Sequence, residues 1–350
     1  MADASISVRR GIPRLQSQRR KLSSGVNRLL FGVLVAMLST SPVVADSNSV
    51  ATTTGTLAVV VRTNDVVEAE YRKLMEEDDR AQETVDRWIR ENQEFASRGA
   101  GVPNAELNRR IMERFEPVRT GYEDFIRRHP DHAPGRIAFA SFLGDIGDEE
   151  GSQSQLEKAL TIDPKNPAIY NNLANIYGHS GPVKKAFEYY AKALELNPSE
   201  PTYYHNLGTT VYLFRTDAKE YYAITEGEVF AKAFGLYSNS MRLDPQNFPL
   251  ASDVAQTYYG ITPLRTDDAL RAWTNAYSIA HDDVEREGVQ LHFARIKLLS
   301  GRFDEARGHL NLVTNSMYAD MKQRLTRNVS EKEESARTNA PAANQGKDVK

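Results

Sequence analysis

Residues 167–200 read PAIYNNLANIYGHSGPVKKAFEYYAKALELNPSE, and the spacing of their apolar and small residues decides the fold. Tyr170, Leu173, Ala174 and Tyr177 recur three and four residues apart, so they form one face of a first helix. Ala186, Tyr190 and Ala193 form the facing stripe of a second helix. Small side chains at Ala174 and Ala186 let the two backbones approach closely. Gly181-Pro182 breaks the chain between the helices, and Asn197-Pro198 ends the second one. The stretch predicts two antiparallel helices joined by a tight turn.

The unit repeats. Pro130, Pro164 and Pro198 stand at a constant interval of 34 residues. Residues 133–166 keep Phe139, Ala140, Leu143, Gly147, Leu156 and Ala159, with Arg136 and Ser152 where 167–200 has an aromatic and a small residue. Residues 201–247 open with Tyr204, Leu207 and Gly208 and close with Ala233, Tyr237, Ser240 and Pro245. They hold 13 residues more than one interval, placed at 216–228, where Tyr221 and Tyr222 have no repeat position. That insertion reads as an elongated helix pair burying both rings, or as a flap at a groove edge. A looser copy spans 248–282 (Val254, Ala255, Tyr258, Trp273, Ala276), and a clearer one 287–316 (Phe293, Ala294, Gly301, Phe303, Ala306, Leu310).

The pattern at Tyr170, Leu173, Ala174, Tyr177, Gly181, Ala186, Tyr190, Ala193 and Pro198 resembles the tetratricopeptide repeat family. The resemblance implies an all-α chain of helical hairpins stacked as a right-handed solenoid, with a groove lined by the first helix of each repeat. Carried onto this chain, the family's groove positions fall on Asn171, Asn172, Asn175 and His179 and on Thr202, His205, Asn206, Thr209 and Tyr212. Asn172 and Asn206 lie one interval apart and are expected to stack as an amide ladder. An amide offers both a donor and an acceptor, which suits an extended peptide backbone. The alternative is that these amides bond between neighbouring helices. The Lys and Asn clamp with which some members hold acidic chain termini has no counterpart: its positions in the first copy hold Pro134, Ile137 and Ser141.

Upstream, 66–95 and 105–128 read as two long charged helices around Gly99-Ala-Gly-Val-Pro103, within a helical region spanning 65–128. Downstream, 317–330 reads as the capping helix that repeat arrays need. Residues 331–350 have almost nothing to bury and are expected as a disordered tail.

The first 45 residues read as an address. Seven basic residues stand against Asp3, giving +6, followed by the apolar run Leu29-Leu-Phe-Gly-Val-Leu-Val-Ala-Met-Leu38, then Pro42 and Val43-Val-Ala45. This is the order of a secretory signal, with cleavage expected between Ala45 and Asp46 and 46–64 left as a spacer. The alternative is an uncleaved membrane tether through 29–45, which carries no charge over 17 residues. An exported chain, periplasmic or secreted, is the expectation.

The formal charge of −3 leaves −9 on residues 46–350, which argues against nucleic-acid binding by phosphate neutralisation. With no cysteine, disulfides, thiolate catalysis and Cys-ligated metals are excluded. No GxSxG, Walker A, GxGxxG or HExxH pattern occurs. His129-Pro-Asp-His132 offers two imidazoles to a metal, against the plainer reading of a turn between helices. The sequence therefore points to a non-enzymatic scaffold without cofactor, binding a protein or peptide partner. Its alternatives are a membrane-anchored assembly factor and a hydrolase or metal protein. The oligomeric state stays open.

Overall fold

The computed structural model describes residues 63–338, which contain fourteen α-helices and no strand. The segments expected as signal (cleavage at Ala45/Asp46), tether (29–45) and most of the spacer lie outside the described residues. No described helix is long and apolar enough to cross a membrane. The chain divides into two compact units, one ending at Ser152 and the other beginning at Gln153. The boundary falls inside a helix, so the first repeat expected, 133–166, contributes to both.

The first unit contains α1 (Thr63–Ser97), α2 (Asn104–Arg128) and α3 (Ala133–Asp145). The first two run antiparallel. At one end the Asn92 side chain both accepts from Val102 N–H (2.7 Å) and donates to Val102 O (3.3 Å). At the other, Glu70 meets His129 (3.0 Å) and Glu68 meets His132 (3.1 Å). The turn needs glycine: Gly99 has φ +77°, and a Cβ on Gly101 would lie 2.7 Å from that of Ala96. Val85, Ile89, Ile111, Phe115, Val118, Tyr122, Phe125, Phe139 and Phe142 make the core, with Trp88 half-buried against it.

That core holds two carboxyls. Asp78 is buried and accepts from the Tyr122 hydroxyl (2.7 Å) and from Gln82 (3.4 Å). Burial raises its pKa. Asp145, at the end of α3, is pushed up to about 7 by burial and by the charge of Asp78. No basic side chain pairs with Asp145 among the described residues.

The second unit takes in most of α4 (Glu149–Ile162) and then α5 (Pro167–Ser180), α6 (Val183–Leu196), α7 (Pro201–Leu213), α8 (Arg215–Tyr222) and α9 (Glu226–Leu243). It continues with α10 (Phe248–Thr257), α11 (Thr266–Ser278), α12 (Asp283–Leu299), α13 (Phe303–Asn311) and α14 (Ala319–Thr338). The interval of 34 is written into the helix starts. His132, Asn166 and Glu200 each accept a hydrogen bond from a backbone N–H of the first turn, and a proline follows each within two residues. Asn247, before Phe248-Pro249, caps α10 in the same way (2.9 Å from Leu250 N).

Within α5 and α6, Leu173, Ala174, Tyr177, Ala186, Tyr190 and Ala193 are buried, as their stripes predict; Tyr170 is half-buried and Pro198 exposed at the turn. Leu207 and Ala306 are buried in their own hairpins. Gly208 is required by its neighbour, because a Cβ there would lie 2.9 Å from the Tyr237 ring.

Three expectations are corrected. The insertion is not a flap, and the helix pair is not lengthened: its first part forms the separate helix α8, packed against α6 and α9 in the row of second helices, and it sets both rings against the array as the first reading expected. Phe214 ends α7, and Thr225 restarts the chain through reciprocal hydrogen bonds with Glu228. Tyr221 and Tyr222 lie against Phe187 (5.2 and 5.4 Å between centroids), and the Lys232 ammonium caps the Tyr222 ring at 4.0 Å. The last repeat begins earlier than 287, since Asp282 caps α12 by accepting from Glu285 N (2.8 Å). Residues 331–338, expected in a disordered tail, continue α14. Charge supplies what apolar burial does not: Glu333 pairs with both Arg307 and Arg337.

Candidate functional site

The first helices of the second unit, α5, α7, α10 and α12, carry most of its unusual polar side chains. In α5, Asn171 is buried, and its Oδ1 accepts from Asn206 Nδ2 (3.0 Å) while its Nδ2 donates to Asn172 Oδ1 (3.2 Å). The amides therefore form a relay from Asn206 through Asn171 to Asn172. The expected direct stacking of Asn172 on Asn206 does not occur. Neighbouring hairpins meet offset by one residue, so Asn206 faces the residue before its sequence counterpart. Part of the alternative reading thus holds, since these amides do join adjacent helices. The relay still leaves Asn172 Nδ2 and Asn206 Oδ1 with unspent capacity on half-buried residues.

Asn175 is committed to its own hairpin, accepting from the Tyr190 hydroxyl (2.6 Å). His179 is exposed in the last turn of α5. Along α7, Thr202 is exposed, while His205 meets Asp253 of α10 (2.8 Å) and Thr209 meets the Tyr237 hydroxyl (3.2 Å). Burial pushes the Tyr237 phenol up to about 12, so it stays neutral. Tyr212 packs its phenol tip against the backbone of Gly260, where an added Cβ would lie 2.8 Å from its oxygen.

Four residues of this face were not anticipated: Asp253, Tyr259, His292 and Arg295. The Tyr259 hydroxyl meets His292 Nδ1 (3.1 Å), and the Arg295 guanidinium lies over the Tyr259 ring at 4.3 Å. His292 stacks on Trp273 (3.9 Å between centroids, 11° between planes). Burial, followed by the charge of Arg295, lowers its pKa to about 4, so the imidazole is neutral. Trp273 Nε1 is the one buried side-chain polar atom without a hydrogen-bond partner among the described residues. The groove positions would have pointed to Asp253, Tyr259, His292 and Arg295 had the register been extended into the copies at 248–282 and 287–316.

The histidines considered for metal binding sit in the first unit and close a turn. His132 Nδ1 accepts from Gly135 N (2.9 Å), and its Nε2 faces Glu68. His129 Nε2 faces Glu70, whose pKa burial tends to raise but hydrogen bonds from Arg128 and His129 bring down on balance. Both imidazoles are spent on single carboxylates, and no group of three or more metal-ligating side chains occurs among the described residues. A cleft of about 360 Å³ opens between α9, α10 and α11, lined by Met241, Val254, Tyr258 and Asp268 among others. It shares no residue with the amide relay.

A family profile described as tetratricopeptide repeat matches residues 156–186. No curated protein matches the chain. Among solved structures, the type IV pilus biogenesis factor PilW is similar at 16% identity and TM-score 0.50, over 69% of this chain and 98% of that one. PilF of Pseudomonas aeruginosa is similar at 15% identity and TM-score 0.46, over 74% and 99%. YrrB, described as a tetratricopeptide repeat protein with an unusual peptide-binding site, is similar at 16% identity and TM-score 0.44, over 60% and 97%. At these identities the likeness concerns the fold. The repeat match, the likeness to PilW and the succession of capped helical hairpins give one architecture: an all-α, tetratricopeptide-type solenoid.

Proposed function

We propose that this protein is an exported, non-catalytic scaffold that holds an extended segment of a protein partner along the first helices of its second unit. One observation carries the reading. The Asn206–Asn171–Asn172 relay is anchored by a buried amide and ends in a free donor at Asn172 and a free acceptor at Asn206. A peptide group carries the complementary acceptor and donor, and a fixed amide pair reads backbone without regard to side chains. The affinity of such a face comes from many modest contacts on a rigid surface, not from one reactive group. Export rests on residues 1–45, whose basic start, apolar run and small residues before Asp46 follow the order of a cleaved signal.

Two measurements test this. Crosslinked pull-downs from the native envelope fraction would compare the wild type with Asn172→Asp, which keeps the acceptor used by Asn171 and removes the outward donor. Loss of a dominant partner at unchanged melting temperature supports the relay as a contact; retention of every partner removes it. Amino-terminal sequencing of the protein from its host tests export. A start at Asp46 fits cleavage, and a start near Met1 supports the anchored assembly factor instead.

A further inference from the structure

We propose that the edge of this groove where the first helices end takes acidic side chains of the bound segment, on an arginine pair held by tyrosine rings. The inference rests on the groove reading above and adds the chemistry of the partner. Arg215 and Arg295 lie far apart in sequence, yet a continuous chain of contacts joins their supports. The Arg215 guanidinium lies 5.1 Å from the centre of the Tyr212 ring and 5.7 Å from that of Phe230, and it donates to Tyr212 O (2.9 Å). The Tyr212 phenol rests on Gly260, and the preceding residue, Tyr259, carries Arg295 over its ring. The Tyr259 hydroxyl is fixed in turn by His292 (3.1 Å).

A guanidinium laid on an aromatic face keeps its N–H edge available for a carboxylate fork, and the ring holds it in place beforehand. Most arginines of this unit are already occupied by acids. Arg265 and Arg271 share Asp268, Arg302 is held by Glu305, and Arg307 lies between Asp304 and Glu333. Arg215 and Arg295 have no carboxylate in ion-pair range among the described residues. The acid on this face, Asp253, is engaged by His205 (2.8 Å). His292 beside Arg295 adds no charge at neutral pH. Positive charge is thus left unspent at Arg215 and Arg295, beside side chains that are otherwise amides and hydroxyls. These residues differ from the Lys and Asn positions of the family's clamp, which this chain lacks. A protein segment is the fitting occupant, because the amides and hydroxyls beside the arginines are complementary to peptide groups.

The test is selection of random displayed dodecapeptides on the full chain, followed by affinity measurements with the selected peptides. The expected outcome is enrichment of Asp and Glu at one end of the peptides. Affinity should weaken about five-fold for Arg215→Gln or Arg295→Gln and more for both, and weaken further in salt. Helicity and melting of the variants should match the wild type, since neither arginine anchors an apolar core. Peptides that bind without acidic bias, or that bind both variants equally while losing affinity to Asn172→Asp, would overturn the inference and leave the groove reading standing. No selected peptide at all would remove both. Competition by oligothymidylate that disappears in the same arginine variants would assign the pair to phosphate and overturn the acidic-segment assignment.

Discussion

Asp145 makes the first unit less stable as the solution becomes less acidic. Its folded-state pKa of about 7 stands above the ordinary 3.8. The protonated form is therefore favoured in the folded chain, and its stabilising effect is complete below about pH 4 and is lost as pH rises towards 7. A displacement of that size corresponds to about 4 kcal/mol at full value. Asp145 is only partly buried, so screening reduces the expected effect to about 2 kcal/mol. The groups facing it in this core are the Asp78 carboxyl and, through it, Tyr122 and Asp79, none of them cationic. The assay is urea unfolding between pH 4.5 and 7.5 in Trp273→Phe, which leaves Trp88 as the reporter of the first unit. Subtracting the profile of Asp145→Asn removes the contributions of carboxyls held low, such as Glu70 and Glu106. Wild type should lose about 2 kcal/mol relative to Asp145→Asn across that window. Parallel profiles would show that Asp145 does not ionise there, and the reasoning would fail.

The second unit should respond in the opposite sense. His292 has its pKa lowered to about 4, so the stability its neutral form confers is present above pH 6.5 and lost as the solution is acidified towards 4; His292→Phe should flatten that slope in Trp273 fluorescence melts. Gly208→Ala drives a methyl against the Tyr237 ring at 2.9 Å, and should cost about 1 kcal/mol in thermal unfolding once the gain in helix propensity is subtracted. Ala223→Gly should instead stabilise by about 0.5–1 kcal/mol, because Ala223 closes α8 in the left-handed region at φ +53°; a loss of stability there would contradict the assigned backbone.

Most of the helical architecture was legible because the repeat writes its own punctuation. The interval of the prolines, the small residues at Ala174 and Ala186 and the stripe from Tyr170 to Tyr177 are local signals, and the helices follow them to within a few residues. The site was less legible. Counting intervals puts Asn172 beside Asn206, but neighbouring hairpins pack with an offset that no spacing encodes, and Asn171 takes the contact. Tyr259, His292 and Arg295 were passed over because the groove positions were carried onto 167–200 and 201–247 alone. The raised carboxyls Asp78 and Asp145 could not be read at all. Their ionisation depends on which helices bring them together, and neither stands out among the other acids of the chain.

Although 13 additional residues separate the halves of the third hairpin, α7 still meets α10 as other first helices meet, through His205 and Asp253, and its Tyr212 meets Gly260 in the turn that follows α10. The extra length is absorbed by α8 among the second helices. The two rows can therefore be edited separately, which makes this hairpin a graft point. The exposed turn at Ala223–Thr225 should accept a reporter peptide or an affinity tag while the opposite row keeps its spacing. Natural relatives could lengthen or replace the same segment to acquire a second attachment without retuning the first.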